Sequence, residues 1–285
     1  MHPQRNLIGI TLASLCAGAL VLGGCASTQG GGDAAEPASA KATKDTAPPA
    51  KKADVKSEVG ANGLPTPAAL LARYIDAIGG EAALRKHQSS TRKGKMVIAA
   101  MGMEGTTTIL AAAPDKMVMN IETGMGAMNQ GYNGEIGWSD NPMTGATLLA
   151  GDQLAGMKMQ ADFYAPLNYS KHFTAMETVE EADWNGQAAY KVKLVNTAGK
   201  ESFQFFAKEG GLLLGQQGVQ EGPMGEAEVK TSFSDYKDFG GAKVPGKVTI
   251  DMAGMQIEQT VETVTFDDVA ATAFEPPAAV KALQK

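Results

Sequence analysis

Near residue 90 the spacing of the hydrophobic positions changes from helical to strand-like. Across 68–78, Leu70, Leu71, Tyr74, Ile75 and Ile78 recur at intervals that put them on one helix face. Pro65-Thr66-Pro67 leads into that stretch and Gly79-Gly80 ends it, since proline suits a first helical turn and glycine a helix stop. A second short helix is expected over 81–86, with Ala83 and Leu84 able to pack back on the first. Short alternating segments follow near 93–101, 105–112, 116–122, 127–132 and 136–139. A further group lies near 175–182, 187–195, 201–206, 212–220, 226–236, 244–252 and 255–266. The turns between them are specific: Pro114-Asp115, Asn133-Gly134, Asn185-Gly186, Gly210-Gly211 and Gly240-Gly241. Asn-Gly between alternating segments is a strong hairpin signal, because both residues tolerate the positive φ that a tight turn requires. Between the two groups, 150–164 reads as helix, with Leu154, Met157, Met159, Ala161 and Phe163 on faces the spacing does not resolve.

Twelve short antiparallel strands with helices at the start and middle predict one mainly β (α+β) domain. A large curved sheet or half-open barrel with covering helices fits better than two separate sheets. The 34 glycines support curvature, since glycine within or beside a strand marks bends and bulges. The 285 residues therefore need not divide into two folded units.

The N-terminus follows another pattern. After a weakly basic start, residues 7–22 are almost wholly apolar, which suits a signal-peptide core and is short for a membrane span. The run ends in Leu22-Gly23-Gly24-Cys25, which resembles the bacterial lipobox. That resemblance implies a signal peptide over 1–24 and a lipidated Cys25, with several acyl chains anchoring the protein stably. Ala26-Ser27-Thr28 lacks the aspartate that retains some lipoproteins at the inner membrane, so the outer membrane, facing the periplasm, is the expected location. Residues 25–63 are rich in Ala, Gly, Pro and charged residues and hold no aromatic, so they are expected to be a disordered tether. The folded domain is expected over 64–285.

Charge and chemistry narrow the function. Residues 64–285 carry 19 basic and 26 acidic side chains with no basic stripe, which argues against nucleic acid as a partner. Both cysteines, Cys16 and Cys25, lie outside this segment, so thiol nucleophiles, redox pairs and cysteine-ligated metals are excluded from it. His87 and His172 sit beside basic residues in no metal spacing, and neither a GxSxG elbow nor a P-loop occurs. The doublets Glu180-Glu181 and Asp267-Asp268 fall at strand ends, where a solvated edge explains them. No enzyme, cofactor or metal site is expected.

The 15 methionines stand out, 14 of them after residue 63. Met101-x-Met103 and Met117-x-Met119 fall in strand phase, which puts each pair on one face. Met157-x-Met159 repeats the spacing, and others group near Met125, Met128 and Met143 and near Met224, Met252 and Met255. Three readings stand: adaptable core filler, a pliable cavity for acyl chains, or soft thioether ligands for Cu(I).

The order of short motifs carries a family resemblance. Tyr74-Ile75-Asp76-Ala77-Ile78-Gly79-Gly80-Glu81 precedes Thr91-Arg92-Lys93-Gly94, Ala113-Pro114-Asp115-Lys116 and Tyr132-Asn133-Gly134-Glu135-Ile136-Gly137-Trp138. Gly186-Gln187-Ala188-Ala189-Tyr190, Gly210-Gly211-Leu212-Leu213, Asp235-Tyr236-Lys237-Asp238-Phe239-Gly240-Gly241 and Phe274-Glu275-Pro276 follow. Over residues 66–277 this resembles the outer-membrane lipoprotein-sorting-protein-like domains, relatives of the LolA/LolB carriers and of LppX-type lipid carriers. The resemblance implies a half-open antiparallel barrel of about eleven strands, with a helical lid over an apolar cavity that binds lipid or lipoprotein acyl chains without chemistry. The expected cavity residues are Met101, Met103, Met117, Met119, Trp138, Leu154, Phe205, Met252 and Ile257. An envelope sensor or scaffold holding a protein partner, and a periplasmic Cu(I)-binding protein, are the alternatives.

Overall fold

Thr66 sets the start of the first helix: its Oγ1 accepts a hydrogen bond from the Ala69 backbone N–H at 3.3 Å, and Pro67 follows as the first helical residue. A computed structural model of the chain describes residues 58–222 and 225–284. The expected signal peptide, Cys25, nearly all of the tether and Met224 lie outside the described residues. Helices α1 (Pro67–Ala77) and α2 (Gly80–Arg85) come first. Residues 58–63, which composition assigns to the tether, are already tied to the domain: Thr66 N–H donates to the Glu58 carbonyl at 3.0 Å and Asn62 Nδ2 to the Thr178 carbonyl at 2.8 Å.

Strands β1 (Ser89–Ile98), β2 (Met103–Ala112), β3 (Lys116–Thr123), β4 (Gly126–Tyr132), β5 (Gly137–Asn141) and β6 (Gly145–Leu148) form an antiparallel meander. Helix α3 (Gly151–Ala161), a 3-10 turn at Ala165–Leu167 and the short α4 (Tyr169–His172) then carry the chain to the opposite edge. From there β7 (Phe173–Trp184), β8 (Gln187–Asn196), β9 (Glu201–Ala207), β10 (Leu213–Gly222), β11 (Gly225–Phe239), β12 (Ala242–Met252) and β13 (Met255–Phe266) meander back. β13 pairs with β1, which joins the two meanders into one open thirteen-stranded antiparallel sheet with β6 and β7 as its edges. A 3-10 turn at Ala271–Phe274 and helix α5 (Ala278–Ala282) complete the chain.

Twelve strands overlap the segments read from alternation; β6 is additional. Its four residues, Gly-Ala-Thr-Leu, are mostly exposed and carry no alternating pattern, so only pairing with β5 makes them a strand. The total exceeds the eleven implied by the family resemblance. The helix expected over 150–164 ends at Ala161, because the Asp162 side chain accepts the Tyr164 backbone N–H at 3.0 Å and turns the chain.

The sheet curves, and its concave face holds the main core, including Met96, Ile98, Met117, Met119, Ile121, Val192, Leu194, Phe206 and Ile257. Leu70, Leu71, Tyr74 and Ile78 of the α1 segment pack onto that core. Gly79 fastens the end of α1 to the β11–β12 turn: its φ is +123°, and a Cβ there would meet the Gly241 carbonyl oxygen at 2.1 Å. Beside it, the Lys243 backbone N–H donates to the Ile78 carbonyl at 2.9 Å. Two smaller clusters cover parts of the other face: Val118 and Trp138 under Phe274 and Val280, and Trp184 with Ala189, Phe205 and Leu214.

Candidate ligand-binding cavity

Because alternate residues of a strand share a face, the concave side of β1 presents Ser90, Arg92, Gly94, Met96 and Ile98 in order. The last two are fully buried beneath the helices. At the Ser90 and Arg92 end the helices stand off the sheet and leave a cavity of about 180 Å³. Its roof is Tyr74, Ile78, Ala83 and Leu84 from the α1–α2 segment together with residues 160–166 at and beyond the end of α3. Its floor includes Thr107, Ile109, Met117, Phe233, Val248 and Gln259. The chamber is thus largely apolar, lidded by the helices and open along one side of the half-barrel.

Its unpartnered polar atoms gather at the start of β1 and on the facing lid. Arg92 is half-buried overall, yet its Nε is fully enclosed and has no hydrogen-bond partner. Burial pushes the guanidinium below its ordinary pKa, and the neighbouring Tyr74 partly offsets this. Ser90 Oγ, Gln160 Oε1 and His87 Nε2 are likewise buried without a partner and line the same cavity. His87 is held by its other nitrogen, 2.8 Å from Asp267 Oδ2, and its ring stacks on Phe266 at 3.9 Å between centroids. Burial raises Tyr74 to about 12, against the lowering effects of Arg92 and of the hydrogen bond with Tyr236. Tyr236, raised by the same burial, donates to the Leu213 carbonyl at 2.7 Å. These phenols remain neutral and act as fixed dipoles.

A second cleft, of about 320 Å³, opens beyond the first at the hairpin tips of the sheet. Met117 lines the roofed cavity; Met119, two residues along the same face of β3, lines this one. The tips between β1 and β2, β3 and β4, and β5 and β6 bring Met101, Met103, Met119, Met125, Met128 and Met143 around it. Met119 is 1% exposed, whereas Met101, Met125 and Met143 are 48%, 62% and 61% exposed, so the thioethers run from the core out to the rim.

The nine residues named from sequence are thereby sorted. Met101, Met103 and Met119 meet in the methionine cleft and Met117 lines the roofed cavity. Ile257 is buried in the core between the sheet and its cover, and Leu154 is partly buried against that core. Met252 ends β12, paired across the turn with Met255, and lines neither cavity. Trp138 and Phe205 are separated from the rest: they fill the two clusters on the opposite face. Alternation alone could not orient them, because C-terminal packing and cross-strand tryptophan contacts make the outer face apolar in places too. Arg92, Ser90 and Gln160 escape a search for hydrophobic residues. The available signal was a serine and an arginine on the same phase of a strand whose later members, Met96 and Ile98, are apolar.

No protein-family model matches the sequence, and no curated protein is similar to it in sequence. Solved structures do match. A DUF1329 family protein from Desulfovibrio piger aligns with a TM-score of 0.54 at 11% identity, over 74% of this chain and 98% of its own. A LolA superfamily protein from Nitrosomonas europaea aligns with a TM-score of 0.51 at 10% identity, again over 74% and 98%. The fold is LolA-like. At this identity the likeness concerns architecture, and the chemistry must be read from the cavity itself. Within the LolA-like sheet and lid, no helix among the described residues is long and apolar enough to cross a membrane. The described residues also hold no cluster of three or more His, Cys, Asp or Glu able to bind a metal.

Proposed function

We propose that this protein is a lipid-anchored bacterial envelope lipoprotein that takes a lipid or lipoprotein acyl chain into the lidded cavity, as a non-catalytic carrier or acceptor. The observation that carries this reading is the largely apolar chamber between the concave sheet and the α1–α2 and 160–166 cover, with the methionine cleft beginning two residues further along β3. An acyl chain leaving water for such a surface gains about 25 cal/mol per Å² of apolar area buried. Methionines suit the entrance, since an unbranched, polarizable side chain repacks around ligands of different shape. In this reading Cys25 supplies the membrane anchor, on the outer membrane facing the periplasm, and residues 26–57 give the domain reach.

Native mass spectrometry of the purified protein, with extraction and identification of bound lipid, tests the proposal. A stoichiometric acyl-containing ligand is expected. Absence of any such ligand, combined with failure of the delipidated protein to bind a fluorescent fatty acid, would overturn it.

A second reading rests on the six methionines at the rim cleft, since thioethers are soft donors that select Cu(I). Competition against a chromogenic Cu(I) chelator distinguishes the two. Tight binding lost in Met101→Ala and Met103→Ala, in a protein that carries no lipid, would favour copper. A protein partner captured without lipid would favour a scaffold.

A further inference from the structure

Four of the buried side-chain polar atoms that find no hydrogen-bond partner line one cavity: His87 Nε2, Ser90 Oγ, Arg92 Nε and Gln160 Oε1. Native interiors leave few such atoms, and each unsatisfied one costs about 1–3 kcal/mol, more when the group is charged. Their gathering in one chamber therefore calls for a ligand group that would satisfy the donors among them. Ser90, with no exposed surface, and Arg92 are neighbours on the inward phase of β1, and Gln160 faces them from the end of α3.

The sign of the missing group follows from charge. The cavity is lined by Arg92, Lys93 and Lys243 in a protein of net charge −6. The sole carboxylate among its lining residues is Asp162, which is already engaged. It lies 2.7 Å from His172 Nε2 and accepts from Asn168 Nδ2 at 2.9 Å and from the Tyr164 backbone N–H at 3.0 Å. The Nε–H of Arg92 and the hydroxyl of Ser90 are both donors, so the group they await is an acceptor. Arginine keeps its charge when enclosed and matches carboxylate and phosphate oxygens geometrically.

We propose that the cavity selects amphiphiles with a compact anionic head, seated on Arg92 and Ser90, while the acyl chain runs along the apolar floor. This rests on the acyl-binding reading above and narrows it to a ligand class: a carboxylate or phosphate monoester on a long alkyl chain rather than an uncharged lipid. The charge that makes the empty chamber costly is the charge that orders the ligand's direction, head under the α3 end and tail away from it.

The full chain carrying Cys25→Ser, which cannot be acylated, is stripped of lipid and titrated at pH 8. The ligands are hexadecanoate, hexadecyl phosphate and uncharged hexadecanol, all below their aggregation concentrations. At least one anionic ligand should bind about tenfold or more tighter than hexadecanol, the worth of one charge-assisted hydrogen bond. Whichever of the two gains more identifies the head as carboxylate or phosphate. Arg92→Gln should remove the preference, with a melting temperature no lower than the parent's, since it deletes an enclosed charge. Ser90→Ala, which keeps the charge, should weaken the anionic ligands about threefold and serves if Arg92→Gln does not fold. Equal binding of all three ligands, or an anion preference that survives Arg92→Gln, overturns the proposal and leaves acyl binding intact. Binding of none overturns acyl binding itself.

Discussion

Arg92 and Trp138 both point into covered space, but on opposite faces of the sheet. Arg92 projects from β1 into the roofed chamber; Trp138 projects from β5 through the outer face, fully buried, against Val118, Phe274 and Val280. The indole Nε1 donates to Asn129 Oδ1 at 2.6 Å, and its ring lies so close to Gly131 that a Cβ there would stand 2.6 Å away. Trp138→Phe should therefore cost about 1–2 kcal/mol of stability, the loss of one buried hydrogen bond and some packing. Fatty-acid affinity should stay unchanged, because the side chain lines neither cavity. Chemical denaturation and a ligand titration on the same variant check the two halves of the expectation. Ligand affinity falling by more than a few-fold would mean that the outer cluster is coupled to the chamber.

The connection from α3 to β7 is the element on which the lid depends. It spans the gap between the edge strands β6 and β7, and its turn is organised by Asp162. Burial alone would raise the Asp162 carboxyl, but hydrogen bonds from His172, Asn168 and the Tyr164 N–H, with the charge of His172, hold it below the usual carboxylate range. A carboxyl depressed in the folded state stabilises that state above its unfolded pKa of about 4, and the contribution disappears as pH falls through the folded value. Asp267 shifts the same way, chiefly through the Gln88 backbone N–H and then His87, at the start of β1. The melting temperature should accordingly decline on acidification below about pH 4. Asp162→Asn should lower the melting temperature at neutral pH and flatten that decline, as scanning calorimetry across pH 3–7 would record. An unchanged acid slope would remove Asp162 from the account.

At the scale of the molecule, the open sheet acts as a curved wall and the helices as a cover fastened at points. Those points are Gly79 against Gly241 at one end of α1 and Thr178 Oγ1 donating to the Pro65 carbonyl at 2.7 Å near the other. A ligand that binds only the folded cavity adds stability by mass action, about 2.7 kcal/mol at a hundredfold excess over its Kd. For a domain of this size that corresponds to a rise of about 5–10 °C in melting temperature. Hydrogen exchange should slow in α1, α2 and α3 on ligand binding and remain unchanged in α5 on the outer face. Protection confined to α5 would place the ligand outside the chamber.

Much of the architecture was legible in the residues alone. The period switch after α2, the Asn-Gly and Gly-Gly turns and the alternation of twelve segments are local properties, set by which backbone angles each residue tolerates and which face it makes apolar. Local signals also brought the methionine pairs to single faces. Alternation cannot say which face is concave, and that depends on sheet curvature and on what packs behind it. Trp138 and Phe205 were therefore indistinguishable from Met117 until the C-terminal segment and Trp184 were seen covering the outer face. Nor could spacing show that Met119 and Met143, or Ser90 and Gln160, would line common cavities, since only the folding of three hairpin tips and one crossover connection brings those segments together. Strands, turns and an apolar excess are thus local consequences of residue order, whereas the place where that excess encloses a chamber, and the unpartnered guanidinium nitrogen inside it, follow from long-range packing alone.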